Sequence, residues 1–155
     1  MWPVLAVVVL HLPALNGTLG SDEGGFAMVA RWVDRAGPYL YGTTWVDRPP
    51  LLIAVFRAAT LLGPHGTRVM ATALAALIVV TLAATARAIA GRAAGTWAAW
   101  AACALAGSTM LSAEELNGEL IAIAFVGVAM VAAVHAVRGG SRWRWAGPAW
   151  SRRTA

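Results

Sequence analysis

Charged residues in this sequence stand at three places near the ends of apolar segments. Asp22 and Glu23 follow the first apolar segment, Asp47 and Arg48 come directly before two prolines, and Glu119 precedes the last apolar segment. A carboxylate at a membrane surface can act as a general base toward an acceptor hydroxyl or amine. A second carboxylate can orient that acceptor or hold a divalent cation.

Arg48 is the basic residue best placed to complete such a site. The two prolines after it, Pro49 and Pro50, pre-set the backbone and fix the arginine near the membrane interface. A guanidinium can hold a phosphate through two parallel hydrogen bonds. Carboxylates beside this arginine therefore suit the transfer of a sugar from a lipid-phosphate leaving group to an acceptor.

Each of these residues also has a purely structural explanation. Asp22 and Glu23 suit the first turn of a helix capped by Ser21, because carboxylates interact favourably with the helix dipole. Arg48 could be a solvated loop charge, and the acidic run 114–119 could keep the tip of a hairpin in water. The three histidines show no metal-ligand spacing, so the use of a metal is left open.

Composition shows what kind of element must position these residues. Of 155 residues, 59% are hydrophobic and 12% are charged, and the mean hydropathy is +0.67. Soluble domains have about 45–50% apolar and about 25% charged residues. The arginines behind the net charge of +5 are scattered at segment ends. That pattern is typical of membrane proteins rather than of nucleic-acid binding.

Four apolar segments predict an all-α, polytopic membrane protein. They lie near residues 1–15, 69–90, 93–111 and 120–137. At about 1.5 Å per residue, the first reaches only about 22 Å of a hydrocarbon core about 30 Å thick. We interpret it as a transmembrane helix whose start is missing or mis-assigned, rather than as a signal peptide.

The outer loop, residues 16–67, is predicted to carry one or two interfacial helices. Apolar residues recur at helical spacing from Phe26 to Val33, and Gly37 ends that helix. The apolar segment 51–62 rises only about 18 Å as a helix, too little to cross.

The distribution of arginines predicts which side of the membrane each end faces. If segment 51–62 does not cross, Arg87 and Arg92 lie on the same side as the Arg/Trp-rich tail 138–155, and the acidic residues lie opposite. The positive-inside rule then predicts a multi-pass protein of the cell membrane with a cytoplasmic tail and an extracytoplasmic site.

The order of these features is more specific than any one of them. A D-E pair after the first span is followed by "DRPPLL", a Gly-Pro turn, the tight turn "ARAIAGRAAG" and an acidic loop before the fourth span. This order resembles the N-terminal part of the GT-C membrane glycosyltransferases that use polyprenyl-phosphate sugars, such as the lipid A aminoarabinose transferase and the protein O-mannosyltransferases. The likeness covers roughly residues 1–137.

The resemblance implies a role for each candidate residue. Asp22 matches the catalytic acidic position and would be the base. Glu23, its neighbour, and Glu119, which matches the second acid, would position the acceptor or a divalent cation. Arg48 matches the basic residue that meets the lipid phosphate, although Lys is common there. The implied reaction moves a sugar, with inversion, from a polyprenyl-phosphate donor to a lipid, glycan or protein acceptor.

Two observations leave an alternative open. GT-C enzymes have many more spans, whereas this chain stops after the fourth and ends in the tail 138–155, which could be an interfacial segment or the product of a truncated gene. The competing interpretation is a small non-catalytic membrane protein that packs against a partner. It would use Ala- and Gly-rich helix faces such as residues 95–107. The sugar, the acceptor and the lipid chain length do not follow from the sequence.

Overall fold

The computed structural model describes residues 2–32, 48–108 and 112–139. Within these ranges it has no strands, and its five α-helices are α1 (Trp2–His11), α2 (Ser21–Trp32), α3 (Pro50–Leu61), α4 (Gly66–Ala106) and α5 (Gly118–Gly139). A 3-10 helix, Leu12–Asn16, extends α1. The predicted all-α, membrane-type fold is confirmed. The predicted helix end at Gly37 and the tail from residue 140 onward lie outside the described residues.

Helix α4 is a hairpin rather than a straight rod. Gly91 interrupts it with a φ of 90° and a ψ of −175°, a conformation essentially confined to glycine. A Cβ atom built on Gly95 would lie 2.9 Å from the carbonyl oxygen of Ala83. In a straight helix these two residues would be about 18 Å apart. The arms 66–90 and 92–106 therefore lie side by side.

The membrane-spanning candidates are these long apolar helices. Among the described residues, Gly66–Ala106 and Gly118–Arg138 are long and apolar enough to cross a membrane. Because α4 folds back, its two arms correspond to the predicted second and third spans. The helices Trp2–Asn16 and Ser21–Trp32 meet at a bend of 81° and pass the same test only as one broken span. The count of four spans stays a prediction.

One end of the bundle carries arginines. Arg138, near the end of α5, donates a hydrogen bond of 3.1 Å to the carbonyl oxygen of Ile89. Arg87 and Arg92 stand on either side of Ile89, at the turn of the hairpin. The three arginines thus share one end of the bundle, which is the grouping that the charge argument requires. The side of the membrane that this end faces stays a prediction.

The opposite end is formed by the last turn of α1 and by the ends of the two α4 arms that lie away from Gly91. His11 Nε2 lies 3.3 Å from the carbonyl oxygen of Ala106, and His65 Nδ1 lies 2.8 Å from that of Leu15. These contacts hold α1 against both arms of the hairpin. They leave α2, which follows the bend, and α3, which leads into α4, at this end.

Helix α3 has the length expected of a segment that does not cross. Pro50 opens it, in the first turn, where a missing N–H leaves no helical hydrogen bond unmade. Gly63, at a φ of 95°, follows its end. Its 12 residues rise only about 18 Å. One face is buried against the rest of the protein, at Leu52, Ile53, Phe56 and Ala59. The Phe56 ring meets the edge of the Phe26 ring of α2 at 5.5 Å.

Candidate functional site

A cavity of about 570 Å³ lies between α2, the start of α3, the segment before α5 and α5 itself. All four residues singled out in the sequence line it: Asp22, Glu23, Arg48 and Glu119. Asp47, which precedes Arg48 in the predicted motif, lies outside the described residues. Chain segments far apart in sequence thus come together at one end of the bundle. The chemical role of each residue stays a prediction.

The residues that line the cavity form a polar set and an apolar set, called here its polar wall and its apolar wall. Its polar wall carries the four candidates with Glu115 and Asn117. Its apolar wall includes Leu51, Ile121, Phe125 and Val126. The side chains of Phe125 and Val126 are exposed on an apolar helix that is long enough to span a membrane. A ligand with a charged head and a hydrocarbon chain would match both walls.

The side chains of the two neighbouring acids of α2 point in different directions. Consecutive residues of an α-helix are separated by about 100° around its axis. Glu23 shares its face with Ala27 and Ala30, and all three are buried. Asp22 is exposed and faces the cavity. Of the two carboxylates, only that of Asp22 is therefore exposed to a ligand.

Glu23 is engaged by the protein itself. Its Oε2 lies 3.0 Å from Nη2 of Arg68, and the two side chains are only 2% and 5% exposed. This contact is a close ion pair without the angles of a hydrogen bond. The other carboxylate oxygen, Oε1, accepts a hydrogen bond of 3.2 Å from the backbone N–H of Leu116. Both oxygens thus already face protein partners.

Arg68 extends this contact to two further segments. Its Nη1 donates a hydrogen bond to the carbonyl oxygen of Glu114, and its Nη2 donates one to that of Thr18. Both bonds are 2.7 Å long. The sequence pattern did not single out Arg68, which lies in the first turn of α4. The available signal was a lone charge in the first turn of an apolar helix, which is costly unless it is paired.

The second acid of the motif opens α5. Asn117 caps this helix, because its Oδ1 accepts a hydrogen bond of 2.7 Å from the N–H of Leu120. Glu119 lies in the first turn, where the helix dipole favours a carboxylate, and it is exposed in the cavity wall. Glu115, which the sequence suggested was merely solvated, also lines the cavity. A Cβ atom on Gly20 would lie 3.3 Å from its Oε1.

Arg48 stands at the rim of the cavity, directly before α3. Its guanidinium carbon lies 5.9 Å from the centre of the Phe26 ring, within the range of a cation–π interaction. The Phe26 ring is in turn held by Phe56 of α3. The aromatic pair thus orients the arginine beside the acidic wall while its side chain stays exposed.

A preformed metal site is not found in the described part of the chain, where no group of three or more His, Cys, Asp or Glu residues could hold an ion. Comparisons with protein-family models, with curated proteins and with solved structures find no match for this chain. The cavity and the residues that line it are therefore the features that indicate a function.

Proposed function

We propose that this cavity binds a polyprenyl-phosphate sugar and transfers the sugar to an acceptor hydroxyl or amine. The observation that carries the proposal is the convergence of Asp22, Arg48 and Glu119 on one cavity that also has an apolar wall. A water-soluble sugar phosphate would need the polar wall alone. A lipid-linked donor needs both walls side by side at a membrane end.

The donor would lie across the boundary between the two walls. Arg48 would hold the phosphate, since a guanidinium offers two parallel donors to phosphate oxygens. The polyprenyl chain would extend from the cavity along Phe125 and Val126, whose exposed side chains belong to the apolar wall. The phosphate would become the leaving group when the bond to the sugar breaks.

The acceptor would approach from the acidic side. Asp22 is the exposed carboxylate of α2 and would remove the proton from the acceptor as it attacks the sugar. Glu119, in the same polar wall, would orient the acceptor through a hydrogen bond. Attack from the face opposite the phosphate would invert the configuration at the sugar. With the positive-inside orientation, the reaction would occur at the extracytoplasmic face.

The competing function, packing against a partner, loses one of its candidate surfaces. The small-residue face of segment 95–107 is buried within the chain, at Gly95, Ala99, Ala102, Cys103 and Ala106. It packs where the two arms of α4 and helix α1 meet, and His11 contacts its end. This face is therefore occupied by the protein itself, which favours the cavity as the functional feature.

Binding of the donor lipid tests the proposal. The purified chain, reconstituted in nanodiscs, would be titrated with a fluorescent polyprenyl phosphate. Arg48→Ala should weaken binding roughly tenfold to hundredfold, because a hydrogen bond to a charged group contributes about 1.5–3 kcal/mol.

The matched control is Arg57→Ala, an exposed arginine of α3 outside the cavity lining, which should bind like the unmodified chain. Equal affinities of the two variants would contradict the proposal. Inorganic phosphate should compete only weakly, because it cannot use the apolar wall.

A further inference from the structure

We infer that Glu23 and Arg68 are a positioning pair: they hold the cavity's other carboxylates in place and do not themselves contact substrate. The pair includes the contacts of its side chains with the backbones of Thr18, Glu114 and Leu116. What the pair does for catalysis rests on the proposed glycosyl transfer, whereas its contacts within the protein do not depend on that proposal.

Each backbone contact of the pair lies close to a carboxylate of the cavity. The contact with Thr18 holds the segment that leads into α2, four residues before Asp22. The contacts at residues 114 and 116 lie on either side of Glu115. Glu119 follows three residues later, in the first turn of α5. One buried pair thus fixes the chain beside all three acids whose side chains remain available to a ligand.

The surrounding backbone needs such a support. Residues 17–20 and 112–117 lie between helices, so their polar groups cannot all bond within a helix. A guanidinium has five donors in a rigid plane, so one side chain can serve two carbonyl oxygens and a carboxylate at once. A lysine has a single nitrogen and cannot hold this geometry in the same way.

Burial explains how the pair specifies position, even though breaking it is costly. Removing two charges from water costs about as much as their attraction returns, so an intact buried pair adds little net stability. The pair does exclude other arrangements, because any displacement of α2 from α4 would leave a buried charge unpaired. We therefore expect its loss to shift α2 relative to α5 while the long helices keep their packing.

Distance measurements between spin labels test this without any substrate. In a Cys103→Ala background, one label pair would join Met28 of α2 to Ile123 of α5, and both native side chains are exposed. A control pair would join Ile89 of α4 to Val137 of α5, at the arginine end, where both are also exposed. The variants are Arg68→Gln, Glu23→Gln and Arg68→Lys.

The positioning pair predicts that Arg68→Gln shifts or broadens the distances of the first label pair and leaves the control pair unchanged. Glu23→Gln should have a smaller effect, because an amide oxygen can still accept the Leu116 N–H. Arg68→Lys keeps the charge but loses the planar set of donors. Its melting temperature should therefore be closer to that of the unmodified chain than its label distances are.

Two outcomes would overturn the inference: unchanged distances at the first label pair in both Gln variants, or equal broadening at both label pairs. If Arg68→Gln does not fold, Glu23→Gln and Arg68→Lys decide the matter by the same criteria. No substrate enters the distance measurement. Its result can therefore be interpreted even if the proposed glycosyl transfer is wrong.

Discussion

The carboxylate of Glu23 lies 3.0 Å from the guanidinium of Arg68, with both side chains buried, whereas the adjacent carboxylate of Asp22 is exposed. Two neighbouring acids thus have opposite environments at the start of one helix. This difference separates an acid held by the protein from an acid available for chemistry. It also makes the two residues matched controls for one another.

Stability should respond to one of these acids and not to the other. Glu23→Gln leaves the buried Arg68 without its counter-charge, and breaking a buried ion pair in this way costs about 3–5 kcal/mol. Asp22→Asn changes an exposed residue and should alter stability by no more than about 0.5 kcal/mol. Thermal unfolding in detergent measures both. Equal melting temperatures for the two variants would mean that Glu23 and Arg68 do not pair as described.

The packing of α5 on α4 should depend on a single glycine. A Cβ atom on Gly127 would overlap Oγ1 of Thr81, a buried residue of α4. Gly127→Ala should therefore lower stability by about 1–3 kcal/mol, the usual cost of overpacking. Gly25→Ala is the control, since nothing lies within 4 Å of the added atom. Helix propensity should make that variant neutral or more stable by up to about 1 kcal/mol. A Gly127→Ala variant as stable as the unmodified chain would contradict the close contact between Gly127 and Thr81.

Helix α3 should be accessible from one side of the membrane along its whole length. Leu51 and Leu62, at its two ends, are both exposed. Cysteines at these positions, in a Cys103→Ala background, should both react with an impermeant thiol reagent added outside. Reaction of one from outside and of the other only from inside would show that this segment crosses.

Orientation can be measured independently. A reporter active only in the periplasm should be silent when fused after Ala155 and active when inserted near Gly42, because Arg87, Arg92 and the tail are predicted to be cytoplasmic. The reverse pattern would place the cavity on the cytoplasmic side and would exclude an extracytoplasmic reaction.

The sequence predicted the elements of this fold better than the contacts between them. Apolar segments alone indicated the arms of α4, helix α5 and the short helix α3. The convergence of Asp22, Arg48 and Glu119 followed from their places at segment ends. These features are local or depend only on membrane depth, so a single sequence contains them.

The roles of Glu23 and Arg68 could not be read in the same way. They are 45 residues apart in the sequence, and whether a residue of α2 points inward depends on which face of that helix packs against α3 and α4. From the sequence alone, Glu23 and Asp22 therefore had the same predicted environment. Glu115 was likewise predicted to be solvated. Its position over Gly20 depends on tertiary contacts, which a single sequence does not show.

The central claim is that Asp22 acts as the base in sugar transfer from a polyprenyl phosphate. The most direct test reconstitutes the purified chain with a panel of radiolabelled polyprenyl-phosphate hexoses and pentoses and measures the label transferred to acceptors extracted from the membrane. Asp22→Asn keeps the shape of the side chain but removes the base, so transfer should fall about 10²–10⁴-fold. Glu114→Gln, outside the cavity lining, should transfer at the rate of the unmodified chain. Absence of transfer by the unmodified chain, or near-normal transfer by Asp22→Asn, would contradict the account.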